Sequence, residues 1–147
     1  MKTRKLVSAT LLALCLAPLG AVTASDSEVN SLPEAQSQNG VSYLSGGVGE
    51  DQAKAIESAA RDYSLMLTFA TQKTGEYLAD VKVNIADRKG QAVLDTVADG
   101  PMLLVKLQPG EYRISAVSND RSVNKTIRIG KGHTTRVTLH WPDHEVK

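Results

Sequence analysis

From Leu65 to Trp141 the apolar residues recur with a period of two, and turn-forming residues interrupt them at short intervals. Alternate residues of a strand point to opposite faces, so this pattern describes short strands, each buried on one side. Repeated over a long stretch, it specifies an all-β sandwich or barrel. Strands are predicted near 65–71, 79–86, 91–98, 102–107, 111–118, 122–129 and 134–141. Between them lie Gln72–Glu76, Asp87–Gly90, Asp99–Pro101, Gln108–Gly110, Asn119-Asp120 and Gly130–Gly132, all of turn composition. The expected architecture is mainly β, a seven-stranded antiparallel sandwich preceded by one short helix.

The alternation selects the inward set: Leu65, Leu67 and Phe69; Val81, Val83 and Ile85; Leu103, Val105 and Leu107; Tyr112, Ile114 and Ala116; Ile127 and Ile129; Val137, Leu139 and Trp141. Two sheets about 10 Å apart would interleave these side chains. Met66, Met102 and Leu104 have the opposite parity, where a sheet left in water carries polar residues. The cover for them lies just upstream. Gly46-Gly47-Val48-Gly49 breaks the chain, and Glu50-Asp51 suits the positive end of a helix dipole, so a helix is expected from Glu50 to Asp62. Ala53, Ile56, Ala60 and Tyr63 form its apolar stripe, and Glu57 and Arg61 stand at i,i+4. Such a helix is too short to persist alone and needs the sheet.

Upstream of the helix the composition changes. Residues 25–48 are rich in Ser, Asn, Gln, Gly and Glu and read as a flexible N-terminal segment, with Tyr43-Leu44 as its docking point. Before them, Lys2, Arg4 and Lys5 lead into an apolar run from Leu6 to Leu19 that is shorter than a spanning helix requires. Ala21-Val22-Thr23-Ala24 follows with small residues, so residues 1–24 read as a signal peptide cleaved after Ala24, with a periplasmic or secreted product. Cys15 is no lipidation site on this reading, because Leu14 is too large to precede one. Cleavage removes three basic residues and no acidic ones, leaving 14 against 16, a net charge of −2. That balance argues against nucleic acid as a partner. Cleavage also removes the one cysteine, so the mature domain, residues 49–147, must be held by its core without disulfides.

Leu107-Gln108-Pro109-Gly110-Glu111-Tyr112-Arg113-Ile114 follows the pattern L-x-P-G-x-Y-x-[VI]. Pro109 presets a turn, Gly110 accepts an unusual backbone, and Tyr112 brings a large ring back inward. With the order of the surrounding strands and turns, residues 65–141 resemble the carboxypeptidase regulatory-like domains and the related transthyretin-like and CnaB-type sandwiches. Together with the signal and the Gly-rich segment, the chain is similar to small exported proteobacterial proteins carrying such a domain. The resemblance implies a transthyretin/immunoglobulin-like sandwich and leaves function open. The hydroxyisourate hydrolases among transthyretin-like proteins carry a histidine near the first strand and a C-terminal Tyr-Arg-Gly-Ser. Here the first strand has no histidine and the chain ends His140-Trp141-Pro142-Asp143-His144-Glu145-Val146-Lys147.

No other catalytic constellation replaces that one. There is no G-x-S-x-G elbow, and Asp80, Asp87, Asp95 and Asp99 fall at strand ends or turns, where Asp serves local hydrogen bonds. His133, His140 and His144 are too loosely spaced to define a metal site, and the Gly46–Gly49 run lacks the Lys-Ser/Thr of a phosphate loop. The expectation is therefore no catalysis, no cofactor and no metal. Lys106, Arg113, Arg128 and Arg136 have outward parity and are candidates for a shared basic surface; Met66, Met102 and Leu104 are candidates for an apolar one. The expected role is a periplasmic accessory or interaction module that binds an envelope protein or peptide through a sheet edge or the helix-flanked face. The alternative is a carbohydrate or envelope-polymer binding domain, taking an anionic glycan on the basic stripe and Trp141.

Overall fold

The computed structural model describes Gly20 and residues 32–143. Apart from Gly20, residues 1–24, read above as a signal peptide, lie outside the described residues, as do residues 25–31 and His144. The described chain is mainly β: β1 Gln36–Gln38, β2 Val41–Gly46, helix α1 Glu50–Ala59, β3 Leu65–Thr71, β4 Val81–Asp87, β5 Ala92–Ala98, β6 Met102–Val105, β7 Gly110–Ser118, β8 Arg121–Ile129 and β9 Thr135–Trp141. Sheet A runs β1-β2-β6-β3-β9 and sheet B runs β5-β4-β7-β8. Side chains from both sheets meet in one buried cluster, which contains every residue of the inward set and adds Tyr43, Leu94 and Ala98.

Two expectations are corrected. Among the described residues there are nine strands rather than seven, because part of the segment read as a flexible tether is ordered as the β1–β2 hairpin. Asn39 and Gly40, both with positive φ, make its two-residue turn. Tyr43 then points into the main core and Leu44 to the other face of the sheet, while β2 pairs with β6 from Tyr43–Val105 to Gly46–Met102. The second correction is to the all-antiparallel arrangement. β9 lies parallel to β3, in register from Leu65–Thr135 to Thr71–Trp141, because the chain crosses from sheet B back to sheet A between Gly130 and Thr134.

β6 reads Met-Leu-Leu-Val and all four residues are buried, as expected of a central strand covered on both faces. Its second cover is α1. Leu44, Met66, Met102 and Leu104 on the outer face of sheet A bury against Ile56 and Ala60. Gln52 Oε1 accepts hydrogen bonds from the amides of Gly47 (2.9 Å) and Val48 (3.1 Å), fixing the approach to the helix where no side-chain N-cap is present. The helix gives way at Ala60–Asp62 to a 3-10 turn, shorter than the predicted run to Asp62. Thr134 Oγ1 donates to the carbonyls of Ala60 and Tyr63, 2.7 Å each, and ties this end to the lead of β9. Among the described residues the ion pair on α1 is Glu50–Lys54, not Glu57–Arg61. No helix among the described residues is long and apolar enough to cross a membrane.

Candidate functional site

The four cations offered as one stripe divide between two faces. Arg136 pairs in register with Met66 on the helix-covered side of sheet A, and its Nη1 donates to Met66 Sδ at 3.0 Å. Lys106 stands on the same side, with Nζ 5.2 Å from the centre of the Tyr63 ring. Arg113 on β7 and Arg128 on β8 lie on the opposite, outer face of sheet B. Parity along a strand cannot reveal this division, because the outward sides of two facing sheets point in opposite directions. The apolar candidates fare differently again. Met66, Met102 and Leu104 are 5%, 4% and 0% exposed, so the helix closes the surface they would have offered.

What remains on sheet B gathers at one end. A cleft of about 260 Å³ opens there between the β4–β5 turn and the start of β7, lined by Asp87, Arg88, Lys89, Tyr112, Arg113 and Thr126 among others. It adjoins a shallower hollow that takes in Arg128 and Pro109. Asp87 holds the turn, its Oδ1 accepting from the amides of Lys89 (2.9 Å) and Gln91 (3.0 Å). Tyr112 closes the other wall by donating its hydroxyl to the carbonyl of Gln108 at 2.8 Å, a tyrosine-corner arrangement. Burial lifts the Tyr112 phenol above its ordinary 10.0, and the Asp87 carboxylate adds to the lift. Arg88 and Lys89, exposed on the turn, bring the cations around the two hollows to four. Glu111 approaches Arg128 at 3.8 Å, a loose exposed pair. Among the described residues Arg88, Lys89 and Arg113 have no ion-pair partner. Arg88 and Lys89 were missed in the sequence because Asp-Arg-Lys-Gly reads first as a turn.

From this end the cationic character continues along β8, the longest strand at a sheet edge, with Arg121, Lys125 and Arg128 and no acidic residue. Lys125 has the inward parity of Ile127 yet is exposed, so the flank of β8 is open to water at that level. The other edge of sheet B, β5, is obstructed. Gln38 mimics a strand partner for β5, donating from Nε2 to the Asp95 carbonyl (3.1 Å) and accepting from the Asp95 amide (2.6 Å). At the start of β8 the Arg121 carbonyl accepts from Trp141 Nε1 at 2.9 Å. The same contact buries Trp141 to 2% exposure, with its ring edge-on to Phe69. Trp141 is therefore withdrawn from the sugar-stacking role given to it above.

Two of the three histidines are among the described residues. His133 Nδ1 lies 3.1 Å from its own hairpin's Lys131 carbonyl, and His140 is exposed on β9. Among the described residues no three His, Cys, Asp or Glu side chains come together. Asp143 is occupied otherwise. Its carboxylate accepts from the Lys73 amide (2.9 Å), the Thr74 amide (3.5 Å) and Thr74 Oγ1 (3.1 Å), clipping the end of the described chain to the turn after β3.

No sequence among the curated proteins matches this chain. Among solved structures it shows a slight likeness to the crystal structure of S.CueP, at 14% identity and a TM-score of 0.39, over 50% of this chain and 59% of that one. The model of the Rhizobiales growth-associated tandem repeat domain matches residues 64–141, from just before β3 to the last residue of β9 and so more than half of the chain, which therefore belongs to that family.

Proposed function

We propose that this protein is a non-catalytic accessory module of the bacterial periplasm that binds a protein or peptide partner at a sheet edge, the edge being β8. The observation that carries the reading is the state of the edges. β8 offers nine residues, whereas β1 has three, β9 has seven, and β5 is plugged at its middle by Gln38. An added strand gains backbone hydrogen bonds with little demand on its sequence. The helix-flanked face is no longer a competitor, since Ile56 and Ala60 are fully buried beneath it. The periplasmic address rests on the leader pattern of residues 1–24. The sandwich is read as carboxypeptidase regulatory-like on the strength of the Pro109-Gly110-Glu111-Tyr112 corner and the strand order around it. Polymer binding is the weaker alternative, because Trp141 and Tyr112 are only 2% and 8% exposed and so offer a sugar little ring surface.

A photoreactive side chain placed at Asn124, exposed on β8, tests this in cells. The expected result is a protein adduct that survives enzymatic removal of glycans, with none formed from the same group at Glu57 on the helix. Adducts from Glu57 alone, or adducts lost with the glycans, would overturn it.

A further inference from the structure

A strand added to β8 would set its side chains about 5 Å from those of Arg121 to Ile129, close enough for unlike charges to attract and like charges to repel. On the outer face it would meet Ser122, Asn124, Thr126 and Arg128; on the inner face Arg121, Val123 and Lys125. Every charge it meets is positive. Beyond Arg128 the cleft adds Arg113, Arg88 and Lys89, whose charges are not neutralised by any carboxylate among the described residues. Asp87 and Glu111 are the exceptions: Asp87 Oδ1 is engaged by the amides of Lys89 and Gln91, and Glu111 at 3.8 Å holds Arg128 too loosely to exclude an incoming carboxylate. The same charges select against a second copy. Two β8 strands paired antiparallel about their centres would oppose Lys125 to Lys125, and an inward-pointing lysine on an edge is a device that blocks uncontrolled pairing.

Resting on the reading of β8 as the docking edge, we infer that its occupant is an acidic extended peptide segment. It adds to sheet B as a fifth strand, sets carboxylates against Arg121, Lys125 and Arg128, and places one further carboxylate in the cleft between Arg113 and the Arg88-Lys89 turn. Backbone hydrogen bonds to Ser122–Ile129 fix its register; the charges select its sequence.

The purified protein is titrated with four probes: an eight-residue peptide alternating Glu and Val, a neutral one alternating Thr and Val, the Glu–Val peptide N-methylated at alternate amides, and a soluble polyuronate. At low salt the Glu–Val peptide is expected to bind about tenfold or more tightly than the neutral one, with the gap closing at about 0.5 M salt. Hydrogen exchange is expected to slow across Ser122–Ile129 and not across β5. N-methylation is expected to abolish that protection. Joint replacement Arg121→Glu, Lys125→Glu and Arg128→Glu, all at exposed positions, is expected to reverse the preference toward a Lys–Val peptide. Equal affinity and equal β8 protection by the neutral peptide would overturn the acidic chemistry and leave the docking edge standing. Absence of β8 protection with every peptide would overturn the docking edge as well. Tight binding of the polyuronate and of the N-methylated peptide would show a charge patch rather than strand addition, and would overturn the inferred mode.

Discussion

Tyr112 joins three levels of the structure in one side chain. Its ring belongs to the core shared by both sheets, its hydroxyl holds the corner through the Gln108 carbonyl, and it forms a wall of the cationic cleft. Tyr112→Phe keeps the ring and is expected to lose about 1 kcal/mol, the net value of one hydrogen bond. Tyr112→Ala removes the ring as well and is expected to lose about 3 to 5 kcal/mol. Urea unfolding of the two variants separates the contributions; equal losses would show that the ring is not packed. Because the folded phenol is lifted above 10.0, its contribution is fully present below that pH and is lost as pH rises through the folded value. The Phe variant has no such titration, so the gap in stability between the two proteins should narrow in strong alkali. The identity of Tyr112 as an inward aromatic was legible, since Pro-Gly-x-Tyr leaves few other dispositions for the ring. The cleft beside it was not, because it forms only when the β4–β5 turn is brought alongside by the pairing of β4 with β7.

Single elements show where sequence patterns inform and where they fail. From β3 onward each strand buries side chains in the core between the sheets, and the strands fall close to their predicted places. β1 and β2 carry a weaker signature. Gln36-Ser37-Gln38 is an exposed edge, and in β2 only Tyr43 and Leu44 supply large buried side chains, one to each face. The cover over Met66, Met102 and Leu104 was legible, because apolar residues of the wrong parity need a second layer. The tail clip was not, because the Asp143 acceptors meet Lys73 and Thr74 across 70 and 69 residues. Its electrostatics give a test. Desolvation would raise the Asp143 carboxyl, but hydrogen bonds from Thr71, Lys73 and Thr74 outweigh it and hold the group below its ordinary 3.8. The stabilisation is therefore present above 3.8 and lost as pH falls through the folded value. Asp143→Ala is expected to lower the melting temperature at pH 7 by a small margin that disappears in strong acid. A margin that persists in acid would assign the effect to packing instead.

At the scale of the whole molecule, the family-matched unit is incomplete without what precedes it. Residues 64–141 contain β3 to β9, while β1, β2 and α1 come from residues 36–59. Removing that stretch would strip β6 of a paired neighbour and uncover Met66, Met102 and Leu104 together. A fragment of residues 64–141 is expected to bind a hydrophobic dye and melt without cooperativity, whereas residues 32–143 melt in one transition. Cooperative melting of the short fragment at a similar temperature would make the hairpin and helix dispensable. The parallel pairing of β3 with β9 has a temporal side. A chain delivered from its N-terminus presents β3 soon after the helix, but the strand that finishes that flank arrives 70 residues later, as the spacing of Leu65 from Thr135 shows. Until then Leu65, Leu67 and Phe69 wait on an unfinished strand. The closing of that long loop is the step expected to be slow in folding.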